Sequence, residues 1–249
     1  MLQLIEVSKS FSDKKILEDI SFEVNAGEIM VIVGESGSGK TTLLNIISGN
    51  IVPDTGALNL NGQPIDLYFN RLIRELPDIK LVPQDYRLKP DYKVWENIDI
   101  ALTEYTPEYR RQRVEELLIL CGIIQIKDKK PKEISGGEKQ RTAIARAIAE
   151  EPLLLLLDEP FSNLDSLNKT HLRDKLVEII RKESIACILV THDLLDALLV
   201  ADRIMMMQKG KILKISTPES LLKESDNEYI NNFVQKSIAP VRAFLEKFS

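Results

Sequence analysis

Cysteine, histidine and tryptophan are nearly missing from this 249-residue chain, which has only Cys121 and Cys187, His171 and His192, and Trp95. Two thiols set in apolar runs cannot make the disulfide framework of a small secreted domain and read as buried, reduced cysteines of a cytosolic protein. With two histidines beside them, the ligands for a structural zinc site are too few. Long apolar runs are missing as well. The densest stretch, 185–207, is interrupted by His192, Asp193, Asp196, Asp202 and Arg203, far short of the roughly 18 unbroken apolar residues of a membrane-spanning helix. An acid already at Glu6 argues against a secretory signal. There is no excess of positive charge either: 33 Lys and Arg stand against 38 Asp and Glu, a net charge of −5. Without a basic field, nucleic acid is not the expected partner. Internal repeats and low-complexity linkers are absent too, and the expectation is a soluble globular protein.

The chain does have an ordinary globular composition, 44% hydrophobic and 29% charged, and a clear alternation of element types. Strand-like runs lie at 2–7, 29–33, 57–60, 80–82, 153–157, 186–190, 203–208 and 211–215. The runs at 153–157 and 186–190 are apolar at every position, as strands buried on both faces of a parallel sheet must be. The turn at Lys209-Gly210 predicts a hairpin, and the early segments around Gly27 and Gly62 look antiparallel. From about Asp85 to Pro131 no strand is evident. Instead Thr106 supplies an N-cap, Pro107 a first turn, Val114, Leu117, Leu118 and Cys121 an apolar stripe, and Gly122 a left-handed stop. The predicted fold is α/β with a mostly parallel sheet, an N-terminal antiparallel β portion and an inserted α-helical subdomain. Residues 1–84 and 153–222 make the core, 85–152 the helical insertion, and 223–249 a helical tail. That tail is expected to pack on its own domain through Val241, Phe244, Leu245 and Phe248.

Between the strand 29–33 and a helical run at 43–47 stands Gly34-Glu35-Ser36-Gly37-Ser38-Gly39-Lys40-Thr41-Thr42. It satisfies G-x-x-x-x-G-K-[ST], in which glycines let backbone N–H groups converge on phosphate oxygens and the following helix adds the positive end of its dipole. Lys40 would neutralise β- and γ-phosphates and the Thr41 hydroxyl would hold Mg²⁺. A Gly-Ser turn with an incidental lysine is the plain alternative, and strand before and helix after disfavour it. The second apolar run ends in Asp158-Glu159. Two acids closing a buried strand are costly unless a cation or water meets them: Asp158 suits Mg²⁺, and Glu159 suits the orientation or deprotonation of an attacking water. Hydrolysis is thus favoured over nucleotide storage. A third element, Ile134-Ser135-Gly136-Gly137-Glu138, starts a helix with an S-x-x-E capping box and, by spacing alone, need be nothing more.

Taken together and in order, these pieces resemble the nucleotide-binding subunit of ABC transporters over essentially the whole chain. The matching segments are an aromatic at Phe11, the P-loop, a glutamine in Val82-Pro83-Gln84-Asp85, the signature at Ile134–Glu138, the strand ending in Asp158-Glu159, a D-loop Ser162-Asn163-Leu164-Asp165, and a histidine in Val190-Thr191-His192-Asp193. The resemblance implies ATP and Mg²⁺ as cofactors. Phe11 would stack on adenine, Gln84 would touch metal and attacking water, and His192 would contact the γ-phosphate and hold Glu159. The segment Ser135–Glu138 would close over ATP held by a second copy, with Asp165 bridging the two sites. Phe11 replaces the commoner tyrosine and keeps the π face. Glu138 replaces the commoner glutamine and adds a negative charge near phosphate. His171 matches nothing and reads as an ordinary helix residue.

No membrane span is fused, so the resemblance further implies a subunit that sits peripherally at the cytoplasmic face of the membrane, docked on separate permease subunits. Dimer closure and opening would power transport, and the stretches at 160–165 and 217–222 look similar to bacterial importers of small solutes or ions. An ATP-gated scaffold acting on a cell-envelope machine is the alternative. Trp95, just after Gln84, reads either as an anchor for the membrane partner or as a packing residue of the helical insertion.

Overall fold

The computed structural model describes residues 1–65, 78–162, 164, 166–223 and 225–248. Two sheets organise them. Strands β1 (Leu2–Phe11), β2 (Lys14–Val24), β4 (Thr55–Leu60) and β5 (Gln63–Pro64) form an antiparallel sheet in the order β2-β1-β4-β5. Strands β3 (Ile29–Val33), β6 (Ile79–Val82), β7 (Leu154–Asp158), β8 (Ala186–Thr191), β9 (Arg203–Gln208) and β10 (Lys211–Ser216) form the second, ordered β10-β9-β3-β8-β7-β6. Every pairing in it is parallel except the β9–β10 hairpin.

The all-apolar runs have a direct cause. Alternate residues of the central strands enter two different cores: Val31, Leu155 and Leu189 face a helical layer, while Ile32, Leu156 and Ile188 face the antiparallel sheet and helix α1 (Lys40–Ile47). A strand covered on both sides has no position for a polar residue. The helical layer includes α2 (Val94–Asp99), α3 (Pro107–Leu120), α4 (Gly136–Ile148), α5 (Ser166–Lys182) and α6 (Leu194–Val200), followed by the short α7 (Pro218–Leu221) and the long α8 (Glu228–Phe248). Helix α3 starts as its sequence dictates: Thr106 accepts from the Tyr109 N–H, Pro107 occupies the first turn, and Gly122 follows with φ +62°. Its stripe Val114, Leu117, Leu118, Cys121 is buried. Both cysteines are buried free thiols, their pKa values raised by burial.

Two expectations are corrected, and one strand lies outside them. The strand expected at 153–157 runs from Leu154 to Asp158, so the first acid belongs to the ladder itself; Leu153 stays outside it, partly exposed. Strand β2 carries no clean alternation because Asp19, at φ +51°, inserts a bulge that spaces buried Leu17 and Ile20 three apart. The tail stripe does not bury itself as expected: Val241 and Phe244 are exposed, and α8 packs instead through Ile230 and Val234, with Tyr229 and Phe233 beside them. The side chains of Leu245 and Phe248 lie outside the described residues. Among the described residues no helix is long and apolar enough to cross a membrane.

Candidate functional site

In a parallel sheet the carboxyl ends of the strands all point one way, and ligands collect there. Neighbours β3, β8, β7 and β6 deliver to this edge the loop 34–39, His192, the Asp158-Glu159 pair and Gln84. They enclose a cavity of about 440 Å³ whose wall includes Ser36, Gly37, Gly39, Lys40, Thr41 and Thr42. Gln84, Asp158, Glu159 and His192 are also in its wall.

The loop is held from outside by backbone. Gly210, in the β9–β10 turn, donates its N–H to the Ser38 carbonyl at 3.0 Å and accepts from the Glu18 N–H at 2.9 Å. Gly39, at φ +103°, and Gly210, at φ +79°, lie so close to the Ile16 carbonyl that a Cβ would stand 2.9 Å and 2.3 Å from its oxygen. Only glycine fits either place. Lys40, which opens α1, is buried. Its Nζ donates to the carbonyls of Gly34 (2.8 Å) and Glu35 (2.9 Å) and lies 3.4 Å from Ser38 Oγ. Burial pushes the ammonium pKa down, against the pull of Glu159 and Asp158.

Asp158 sits opposite. Burial raises its pKa, the Thr41 hydroxyl donates to its carboxylate and works the other way, and the Glu159 charge adds to the rise. Glu159 takes a left-handed backbone conformation, φ +51°, at the strand end, with its N–H on the Val190 carbonyl. Its Oε1 lies 2.8 Å from His192 Nδ1. The turn carrying His192 is fixed by Asp193, which caps α6 through the Leu195 N–H, and by Lys169, which bridges Asp193 (3.0 Å) and Asp196 (2.7 Å).

The signature corner is built differently. Ser135 caps α4: its N–H and hydroxyl both donate to Glu138 Oε2, at 2.8 and 2.9 Å, and its Oγ accepts from the Glu138 N–H at 3.3 Å. Burial disfavours the Glu138 charge, but these bonds, with Arg141 and Lys129 nearby, outweigh it and hold the pKa below the usual value. Ser135, Gly136, Gly137 and Glu138 do not line the cavity, and neither does Phe11, half-exposed at the tip of the β1–β2 hairpin. Arg146, farther along α4, donates to the carbonyls of Tyr86 and Arg87 and so ties the segment after Gln84 to the signature helix. Asn163 and Asp165 of the D-loop lie outside the described residues. His171 is exposed on α5.

Sequence reasoning missed Lys14 and Ile16, which line the cavity from β2. Their signal was the hairpin register that pairs Phe11 with Lys14, legible only once β2 is known. It also missed Tyr229 and Phe233 of α8, which with Glu35 and His192 wall a second cavity of about 410 Å³.

The family profile described as ABC transporter matches residues 17–162. The chain belongs to the ABC transporter family. This ATP-binding cassette is 39% identical over 239 residues to the Fe(3+) ions import ATP-binding protein FbpC 2 of Pectobacterium atrosepticum, covering 96% of this chain and 69% of that protein. It is 34% identical over 236 residues to the Xylose/arabinose import ATP-binding protein XacJ of Haloferax volcanii, covering 94% of this chain and 61% of the relative. The cassette therefore spans about two thirds of the length of these relatives, 69% and 61%. Among solved structures, the dimeric post-hydrolysis state of the ATP-binding cassette MJ0796, bound to ADP and Pi, superposes with a TM-score of 0.76 at 29% identity over 88% of this chain and 99% of that one.

Proposed function

We propose that this cassette is the ATP-hydrolysing subunit of an import system for a small solute or ion, working as a pair of copies on separate membrane permease subunits. Residues 1–84 and 153–222 serve as the ATP-binding core, 85–152 as the helical signature part and 223–249 as the tail. The observation that carries this reading is the convergence of Lys40, the Thr41–Asp158 pair and the Glu159–His192 pair on one cavity at the strand ends.

Each group then has one task. The Nζ of Lys40 exchanges loop carbonyls for β- and γ-phosphate oxygens, a swap of polar partners within a site already shaped for a cation's opposite charge. Glu159, held in place by His192 Nδ1 at 2.8 Å, holds a water in line with the γ-phosphate and takes its proton. The Thr41 hydroxyl, the Asp158 carboxylate and the Gln84 amide are hard oxygen donors that suit Mg²⁺. With a single carboxylate among them, these three residues would hold the ion at the phosphate end of the cavity. When bound, Mg²⁺ supplies neutralisation of the phosphate charge.

The signature corner completes the site in trans, since Ser135 and Gly137 stand apart from their own chain's cavity. The γ-phosphate then joins two chains, and its loss lets them part. The permease would dock where the segment after Gln84 meets α3. There half-buried Trp95 lines a groove of about 320 Å³ with Arg111, Leu118 and Ile124. The relatives named above import different solutes, an iron ion and pentoses, so the cargo is set by the partners. Phosphate release per mole of purified protein, followed as its concentration rises, tests the reading. Specific activity should climb steeply before levelling; a rate strictly proportional to protein would mean that one chain hydrolyses ATP alone and would overturn the paired site.

A further inference from the structure

The hairpin that carries Phe11 is distorted just before the ring. Register shifts fall between Val7 and Lys9 and again between Lys9 and Ser10, and a bulge of this kind re-aims the side chains beyond it. The distortion is stitched down by one residue of another segment. Asp54, immediately before β4, donates its N–H to the Ser8 carbonyl at 2.9 Å and accepts the Ser10 N–H on Oδ2 at 2.7 Å. Its second oxygen, Oδ1, binds Lys9 Nζ at 2.7 Å. The Lys9 side chain is only 16% exposed, unusual for a lysine at the end of a hairpin. Its ammonium stands 5.5 Å from the centre of the Phe11 ring, within the range of a cation–π contact. The ring remains 47% exposed.

We infer that Lys9 and Asp54 are positioning residues for base recognition: the ion pair seats a cation on one face of Phe11 and presents the other face, preset, to the nucleobase. The inference rests on the reading of Phe11 as the base platform. Phe11 pairs across the hairpin with Lys14, which lines the phosphate cavity, so a base attached to a triphosphate held there lies within reach of the ring. A phenylalanine has no hydroxyl with which to fix its own orientation, and Lys9 supplies that fixing from behind. Preorganising a flat aromatic removes the entropy loss of ordering it on binding, and the cation draws ring electron density away from the open face. Asp54 does for Lys9 what Lys9 does for the ring. With the Lys9 and Ser10 bonds leading its causes, its carboxyl is held below the usual aspartate pKa and stays ionised at neutral pH.

The test is calorimetric binding of ATP, GTP and inorganic tripolyphosphate to the intact chain and to Phe11→Ala, Lys9→Met, Lys9→Arg and Asp54→Asn, with thermal melting as the control for folding. Phe11→Ala should weaken ATP about tenfold and leave tripolyphosphate untouched. Lys9→Met and Asp54→Asn should each weaken ATP roughly two- to fivefold, shrink the ATP-to-GTP ratio and leave tripolyphosphate unchanged, while Lys9→Arg restores near-native binding. In turnover the loss should lie in KM, with kcat preserved. If Phe11→Ala weakens ATP while Lys9→Met does not, the positioning role is overturned and the platform stands. If Phe11→Ala itself binds ATP normally, both fall. Equal losses for ATP and tripolyphosphate in Lys9→Met would show a general phosphate or folding effect and also overturn the inference.

Discussion

The cavity at the strand ends and the signature corner both sit at a helix start with glycines beside it, yet they are opposite in how their polar groups are paired. In the cavity, Lys40 is buried against carbonyls, Asp158 carries a raised pKa and His192 is largely exposed beside Glu159. Its charges are concentrated and partly desolvated, and they are held by loop carbonyls, the Thr41 hydroxyl and His192. At the corner, Ser135 and Glu138 satisfy each other through three hydrogen bonds and the carboxylate lies below its usual pKa. One half is poised for a ligand. The other is complete as it stands. Under the proposed function it would exchange internal bonds for external ones at a second chain's nucleotide, so that affinity for nucleotide would belong to the first half and the energetics of closure to the second.

Breaking the proposed catalytic member of the first half should have the largest effect. Glu159→Gln should cut phosphate release by roughly 10²-fold or more while ATP stays bound; near-normal turnover in a phosphate-release assay would move the base elsewhere. Next comes Lys40→Ala, for which loss of a charge-assisted set of bonds should weaken ATP about 10- to 100-fold, read by calorimetry. Ser135→Arg attacks the second half alone: calorimetry on dilute protein should show unchanged ATP affinity, while ATP-driven association in light scattering weakens by about tenfold or more. Association that survives would place the partner's phosphate elsewhere. Glu138→Gln sharpens the contrast in the other direction. It keeps an acceptor for the Ser135 N–H but removes the negative charge, so association should tighten roughly two- to fivefold at a cost of a few tenths of a kcal/mol in helix capping. The smallest effect is with pH. Burial raises the Asp158 pKa, so the carboxylate proposed to hold Mg²⁺ ionises at a higher pH than an ordinary aspartate. Affinity for Mg²⁺ and ATP should grow as pH climbs past the ordinary aspartate range. The fold responds with the opposite sign: an acid whose pKa is raised in the folded state opposes folding once ionised, so ligand-free melting temperature should dip slightly over the same window.

Much of this was legible in the residues because the constraints are local. A strand buried on both faces admits only apolar side chains, and Leu154–Leu157 and Ala186–Val190 display that directly. The strand-loop-helix run around 34–39 and the cap at Ser135 depend on contiguous residues, and each lies where the sequence placed it. What escaped depends on long-range encounters. Strand β2 was hidden because a bulge at Asp19 breaks its alternation, and with it went Lys14 and Ile16 at the cavity wall. The tail helix carries one apolar stripe, since Ile230, Val234, Val241 and Phe244 fall on the same face at 3.6 residues per turn, but only Ile230 and Val234 meet the helical layer; how far along the helix the body reaches is not written in the stripe. The bond of Arg146 to the segment after Gln84 spans 59 to 60 positions, and no spacing rule foreshadows it. The D-loop positions Asn163 and Asp165 lie outside the described residues and do not enter this comparison.

The contact of the Ile16 carbonyl with Gly39 and Gly210 has a mechanical meaning. Three stretches distant in sequence touch where not even a methyl group can enter, so the sheet bearing the aromatic hairpin cannot slide against the loop 34–39. Under the proposed function, with Phe11 holding the base and the loop the phosphates, the span between them would be a fixed gauge for the length of the nucleotide.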